Sequence, residues 1–196
     1  AKCWSTPRSF FSLDDADEID ASAASFRSLT SITARERDAS LAAGALAFEI
    51  SEWVNNIFKL PNADLIDLGH ERDPANAARV LRGYWGIGEK PIGNMIHFLE
   101  TKGIRVFSLS ESTKNVDAFS CWRNETPFIF LNTFKTSERS RFDAAHELGH
   151  LIMHKHGGPN QRGAENEANS FASSFLMPKA DIISTIPYVT SLTVLI

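Results

Sequence analysis

Residues 141–156 read RFDAAHELGHLIMHKH and contain a His-Glu-x-x-His pattern formed by His146, Glu147 and His150. Apolar and small residues recur through the stretch with the 3.6-residue period of a helix. They are Phe142, Ala145, Leu148, Gly149, Ile152 and Met153. The pattern predicts a buried helix, begun near Ser137 or Ser140, around which the rest of the chain is arranged.

The spacing of the two histidines predicts a metal site. Residues four apart lie on the same face of an α-helix, so His146 and His150 can bind one Zn²⁺ at about 2.0–2.1 Å. Glu147 follows the first ligand, where its carboxylate can take a proton from a metal-bound water. A helix with ordinary exposed histidines is the alternative for the pentapeptide alone. The apolar context argues against it, because a buried charge without a partner is costly.

A third ligand is expected from a second helix, read as ENEANSFASSFLMP over residues 165–178 and ended by its proline. A glutamate added to two histidines is a known catalytic zinc set with one open position. Glu165 is the first choice and Glu167 the alternative, since residues two apart point in different directions. Asn169 shares a face with Glu165 and is a candidate for supporting a ligand histidine by a hydrogen bond.

Other polar residues are candidates for supporting roles. On a continuing helix, His156 lies about 9 Å beyond His150, too far to share its metal. His154 is one turn past His150, so a supporting or surface role suits it better. An oxyanion-stabilising group is also expected opposite the metal. His154, Tyr84 and Tyr188 are candidates, and the sequence does not select among them.

Two stretches together resemble the ImmA/IrrE-type metallopeptidases: RFDAAHELGHL at residues 141–151, and the ExxANxFA…FLMP pattern over residues 165–178. The resemblance implies metal ligands at His146, His150 and Glu165, with Glu147 as general acid and base. It also implies proteolysis, usually of a helix-turn-helix repressor encoded nearby or fused to the same chain. A DNA-binding domain missing from this sequence is therefore expected.

The expected fold is α+β and zincin-like, with a helical scaffold and a small, mostly antiparallel sheet beside the His-Glu-x-x-His helix. Thr33 and Glu36 predict a capping box before a long helix that packs against the catalytic one. Asp73-Pro74 and Pro91 begin two further helices, and three strands follow within residues 104–131. We expect an acidic linker or tail (1–33), a metallopeptidase domain (34–180: helical scaffold 34–103, sheet and catalytic helices 104–180), and a truncated C-terminal element (181–196).

Composition excludes several classes of protein. The 196 residues are 43% hydrophobic and 22% charged, with a net charge of −4, so nothing global favours nucleic-acid binding. There is no membrane-length apolar run, and no membrane partner is expected. With two cysteines, Cys3 and Cys121, far apart, a cytoplasmic, reduced protein is expected. Zn²⁺ is the expected metal, with Mn²⁺ or Fe²⁺ as alternatives.

Two other functions compete with a protease that cuts a transcriptional repressor or antitoxin. One is a metal-containing sensor or regulatory binding module, which would not need the Glu147 carboxylate. The other is a DNA-binding regulator, suggested by the helix-turn-helix order of residues 73–103, where Asn94 and His97 are the base-reading candidates.

Overall fold

A computed structural model describes residues 25–26, 33–109, 116–155 and 161–179. The predictions for His156, for Tyr188, for residues 181–196 and for most of the acidic segment lie outside these ranges. Within them, no helix is both long and apolar enough to cross a membrane.

Five helices and four strands make up the described fold. The helices are α1 Ala34–Ile57, α2 Pro74–Tyr84, α3 Met95–Thr101, α4 Ser137–Met153 and α5 Gln161–Leu176. The strands are β1 Ser25–Phe26, β2 Arg105–Ser108, β3 Ala118–Arg123 and β4 Thr126–Leu131. This α+β composition confirms the predicted fold class.

The helix starts follow capping chemistry, with two departures from prediction. Thr33 forms the expected capping box with Glu36 at α1, and the side chain of Asp73 accepts the amide of Ala75 at α2. Helix α3 begins after Asn94 instead of at Pro91, and Thr136 caps α4 instead of either serine. Serine and threonine are both favoured at the N-cap position, so sequence alone does not choose between neighbours.

The strands form one sheet in the order β1-β3-β4-β2. The β1–β3 and β3–β4 pairs are antiparallel, and β2 pairs with β4 in parallel. Asn124 and Glu125 join β3 to β4 with positive φ angles of 46° and 64°, as a tight two-residue hairpin requires. The sheet is thus mostly antiparallel, as predicted, with one parallel pair.

Each face of the sheet has its own core. On one face, Ala118, Ile129 and Leu131 pack in a large cluster with the apolar sides of α2, α3, α4 and α5. On the other face, a second cluster combines α1 with aromatic residues of β3 and β4, and its buried members are Ala47, Phe48, Leu109, Val116, Phe119, Cys121, Phe128 and Phe130.

The long helix α1 therefore packs on the sheet, and the prediction that it lies against the catalytic helix is wrong. The Phe48 and Phe128 rings meet edge to face with centroids 4.6 Å apart. Because neighbouring side chains of a strand point to opposite faces, β4 turns Phe128 toward α1 and Ile129 toward α4. The sheet separates the two helices.

Helices α2 and α3 pack in the half of the fold that contains α4 and α5. Arg82 of α2 is 3% exposed, and its guanidinium donates to the carbonyls of Gly88, Lys90 and Phe175. The Asn94 side chain accepts the amide of His97 as the cap of α3. These contacts give the α2–α3 pair a structural role. They also engage the Asn94 side chain, one of the two base-reading candidates, in a hydrogen bond within the protein.

Candidate metal centre

Helix α4 carries His146, Glu147 and His150 on turns that are closed to solvent, with exposures of 0%, 0% and 6%. Helix α5 can approach this part of α4 because residue 149 is glycine. A Cβ at Gly149 would lie 3.0 Å from the Phe171 ring and 3.4 Å from the Ala168 Cα. The contact brings Glu165 of α5 to the two histidines.

His146, His150 and Glu165 form a three-residue group of possible metal ligands. The two Nε2 atoms are 3.1 Å apart. Glu165 places Oε2 3.4 Å from the His146 Nε2 and Oε1 3.5 Å from the His150 Nε2. Ligand atoms about 2.0–2.2 Å from a tetrahedral zinc-like ion would lie about 3.3–3.6 Å from one another. The observed separations are close to that range.

The outward contacts of the two imidazoles also suit a cation at the centre. His146 Nδ1 lies 3.1 Å from Asn169 Oδ1, and His150 Nδ1 lies 2.9 Å from the Nδ1 of His154. When each Nδ1 carries the proton and donates outward, both Nε2 lone pairs face the Glu165 carboxylate. Three lone-pair donors at such distances repel one another unless a cation lies between them. The residues therefore fit a metal ion.

The ionisation of the acidic ligand agrees with this arrangement. Burial by itself would raise the pKa of Glu165, but when protons at Nε2 of His146 and His150 take the place of the cation, their hydrogen bonds and positive charge outweigh burial and lower that pKa to about 2. Burial lowers the pKa of His154, and the hydrogen bond to Glu167 only partly opposes the shift. At neutral pH Glu165 is therefore an ionised candidate ligand, and His154 is a neutral supporting residue.

Ser120 of β3 holds Glu147 in place. Its hydroxyl donates to Glu147 Oε2 over 2.7 Å, and both residues are buried. Sequence reasoning missed this serine. The available signal was a polar residue in an apolar strand, on the same face as Ala118 and Trp122. That signal marks a buried hydroxyl without saying which helix lies above it.

The structure places the remaining candidate residues individually. Glu167 contacts His154 Nε2 at 2.9 Å, so Glu165, and not Glu167, belongs to the three-residue group. Asn169 contacts His146, the supporting position considered for it. The Tyr84 hydroxyl donates to Asp64 at 2.8 Å, a partner outside the group. Tyr188 lies outside the described residues.

Comparison with protein families agrees with the geometry. Residues 99–188 match the family model described as IrrE N-terminal-like domain, Peptidase_M78. No curated protein matches the chain. The matched residues include α4 and α5, and with them both histidines and both glutamates of the site. The match over residues 99–188 confirms the resemblance to the ImmA/IrrE-type metallopeptidases predicted from the motifs at 141–151 and 165–178.

Proposed function

We propose that this protein is a zinc-dependent protease that hydrolyses a peptide bond in a protein substrate. One observation carries the proposal. A His-His-Glu group with the separations of metal ligands lies next to a buried glutamate whose position is fixed by Ser120. A purely structural metal site has no use for such a carboxylate, whereas hydrolysis needs a base beside the metal.

The residues of the chain divide the reaction between them. His146, His150 and Glu165 would hold the ion, which would supply the Lewis acidity that activates water and polarises a carbonyl. Glu147 takes the proton of the attacking water and later delivers it to the leaving amine. The Ser120 hydroxyl restricts the Glu147 carboxylate to one orientation, so that proton transfer needs little reorganisation.

Strand β3 is the proposed binding edge for an extended peptide, because it lies against α4 through Ser120 and through the Trp122 Nε1, which donates to the Leu151 carbonyl at 3.1 Å. On its edge away from β4, it pairs with Ser25–Phe26 at Ser120 and Phe119. A substrate strand aligned with Ser120 has to replace that pair. A peptide complex without main-chain pairing to β3 would contradict this mode of binding.

The proposed substrate is a helix-turn-helix repressor or an antitoxin in the cytoplasm, cleaved to change gene expression. Support for this comes from the resemblance to the ImmA/IrrE-type metallopeptidases, which implies proteolysis of such a repressor, and the domain match over residues 99–188 agrees with that resemblance. A DNA-binding domain outside this sequence is part of the same proposal. Zn²⁺ is preferred because two imidazoles, one carboxylate and an open position make up a common catalytic zinc set.

The deciding experiment compares wild type with Glu147→Gln after both are loaded with Zn²⁺. Cleavage of the repressor encoded nearby, or of a quenched-fluorescence peptide library, is expected to fall by about 10²–10⁴-fold in the variant. Zinc content, measured by elemental analysis, should stay at the wild-type value because Glu147 is not a ligand.

Glu138→Gln is the matched control, since it makes the same change at an exposed position of the same helix. It should cleave at the wild-type rate. If wild type shows no cleavage above that of Glu147→Gln while both retain zinc, the cleavage does not come from this site, and a binding function takes the place of the protease proposal.

A further inference from the structure

We propose that His154 and Glu167 act as a pair of positioning residues that orient the His150 imidazole and strengthen its bond to the metal. The proposal rests on the metal site described above and adds to it the group that supports one ligand. Neither residue touches the ion in this arrangement. Both act through His150.

The contacts form a continuous line from ligand to carboxylate. His150 Nδ1 lies 2.9 Å from His154 Nδ1, and His154 Nε2 lies 2.9 Å from Glu167 Oε2. The His154 side chain is 8% exposed and that of Glu167 is 33% exposed. Water therefore competes little for the hydrogen bonds of His154, the residue that contacts the ligand histidine.

Only one arrangement of protons lets this line serve a metal ligand. His150 must keep its Nε2 lone pair for the ion, so its Nδ1 carries the proton and donates to His154 Nδ1. His154 then accepts at Nδ1 and carries its own proton at Nε2, which donates to the Glu167 carboxylate. The Glu167 charge thus fixes the tautomer of His154, and His154 fixes that of His150.

The two ligand histidines are supported by groups of different chemistry. His146 meets a neutral amide oxygen from Asn169, whereas His150 meets an imidazole that is itself held by a carboxylate. A carboxylate at the end of such a line raises the basicity of the ligand nitrogen more than an amide does. We therefore expect His150 to depend on its support more strongly.

The fold supplies this support from the same two helices that supply the ligands. His154 is the C-cap of α4, and its amide donates to the His150 carbonyl at 3.0 Å, so its ring is set one turn from the ligand. Glu167 lies two residues after Glu165 on α5. Helix α4 supplies His150 and leads into the supporting His154, and α5 supplies both Glu165 and Glu167. Metal binding therefore depends on the contact between α4 and α5.

The test measures the Zn²⁺ dissociation constant of the full chain by competition with a chromophoric chelator. His154→Phe and Glu167→Ala should each weaken Zn²⁺ binding by about 10–100-fold. Glu167→Gln should lose less, because its amide oxygen can still accept from His154. Asn166→Ala is the matched control, an exposed neighbour on α5, and should bind Zn²⁺ as wild type does.

A second measurement reads the tautomers directly. Long-range ¹H–¹⁵N spectra of the zinc-loaded wild type should show His154 protonated at Nε2 and His150 at Nδ1. A His154 protonated at Nδ1 would overturn the proposal. So would unchanged Zn²⁺ affinity in both His154→Phe and Glu167→Ala, with circular dichroism showing that the variants are folded.

The outcomes separate this proposal from the proposed function. If His146→Ala abolishes Zn²⁺ binding while the His154 and Glu167 variants bind normally, the metal site stands and the positioning pair is wrong. If the pair variants lose affinity but wild type cleaves no faster than Glu147→Gln, the pair stands and the protease proposal is wrong. A wild type that binds no Zn²⁺ overturns both.

Discussion

Helices α4 and α5 and helix α1 are all patterned with apolar residues, yet their surroundings differ sharply. Every residue of α4 from Asp143 to Met153 is buried. The apolar positions of α5, among them Phe171 and Phe175, are closed to solvent as well. Helix α1 buries Ala47 and Phe48, but a second apolar stripe is more than half exposed, formed by Leu46, Ile50, Trp53 and Ile57.

The difference teaches what an apolar pattern can and cannot say. Periodicity identifies the positions on a helix that suit a partner, because burial of apolar surface stabilises the fold. It does not identify the partner. On α4 the pattern correctly predicted burial, since the sheet and the other helices cover this helix from several sides. On α1 it predicted contact with the catalytic helix, whereas the sheet lies between them.

The largest expected effect tests the buried side of this comparison. Phe175→Ala should lower the free energy of unfolding by about 3–5 kcal/mol, because it empties a closed site. The ring is 0% exposed, stacks on Phe171 at 5.5 Å and meets Trp85 edge-on at 5.9 Å. Urea unfolding of the metal-free protein measures the change without a contribution from bound ion.

Phe175→Leu provides the control for that substitution. It keeps most of the apolar volume and should cost clearly less than the alanine variant. A loss below about 1 kcal/mol for Phe175→Ala would mean that the α2–α5 contact is loosely packed, and the contrast with α1 would then disappear.

An effect of intermediate size is expected at two helical glycines, of which one is buried and the other is exposed. At Gly149 a new Cβ meets Phe171 at 3.0 Å, whereas at exposed Gly83 of α2 it meets nothing within 4 Å. Gly83→Ala should stabilise the protein by about 0.5–1 kcal/mol through helix propensity. At Gly149 overpacking of about 1–3 kcal/mol outweighs that gain, so Gly149→Ala should destabilise by about 1 kcal/mol.

Thermal and urea unfolding of the two variants side by side gives the sign of each change. Equal stabilisation by both substitutions would show that α5 can move away from α4 without cost. The close approach that brings Glu165 to the histidines would then not depend on Gly149.

The candidate metal ligands could be predicted where one helix or one motif contained the information. The i, i+4 spacing places His146 and His150 on a single face, and the structure brings Glu165 to them. What the sequence could not supply were contacts between elements that are distant in the chain. Ser120 reaches Glu147 across 27 residues, and His154 meets Glu167 only because α5 folds back along α4.

The fold shows the same limit. The hairpin between β3 and β4 is local, and both of its strands lie within residues 104–131, where strands were predicted. The parallel pairing of β2 with β4 places β4 between β2 and β3, an order that depends on how separate segments assemble. Two caps were predicted at the right residues, but Thr136 displaced two neighbouring serines that differ from it by little energy.

The smallest expected effect belongs to the exposed stripe of α1. Trp53 is 64% exposed, so Trp53→Ala should change the free energy of unfolding by no more than about 0.5 kcal/mol. Ile129, buried on the other face of the sheet from α1, gives the contrast, since Ile129→Ala should cost about 2–5 kcal/mol. Both variants are measured by urea unfolding at two protein concentrations tenfold apart.

The concentration series decides what a larger effect at Trp53 would mean. A largely exposed tryptophan contributes little because unfolding adds little to its contact with water, and this holds at any concentration. A loss above about 1 kcal/mol that grows with protein concentration would show that a second copy covers the stripe, since association stabilises by mass action. The same loss without concentration dependence would place part of this chain over Trp53. In either case the contrast between α1 and the α4–α5 pair would reduce to a difference in which surface covers each helix, because both would then be buried.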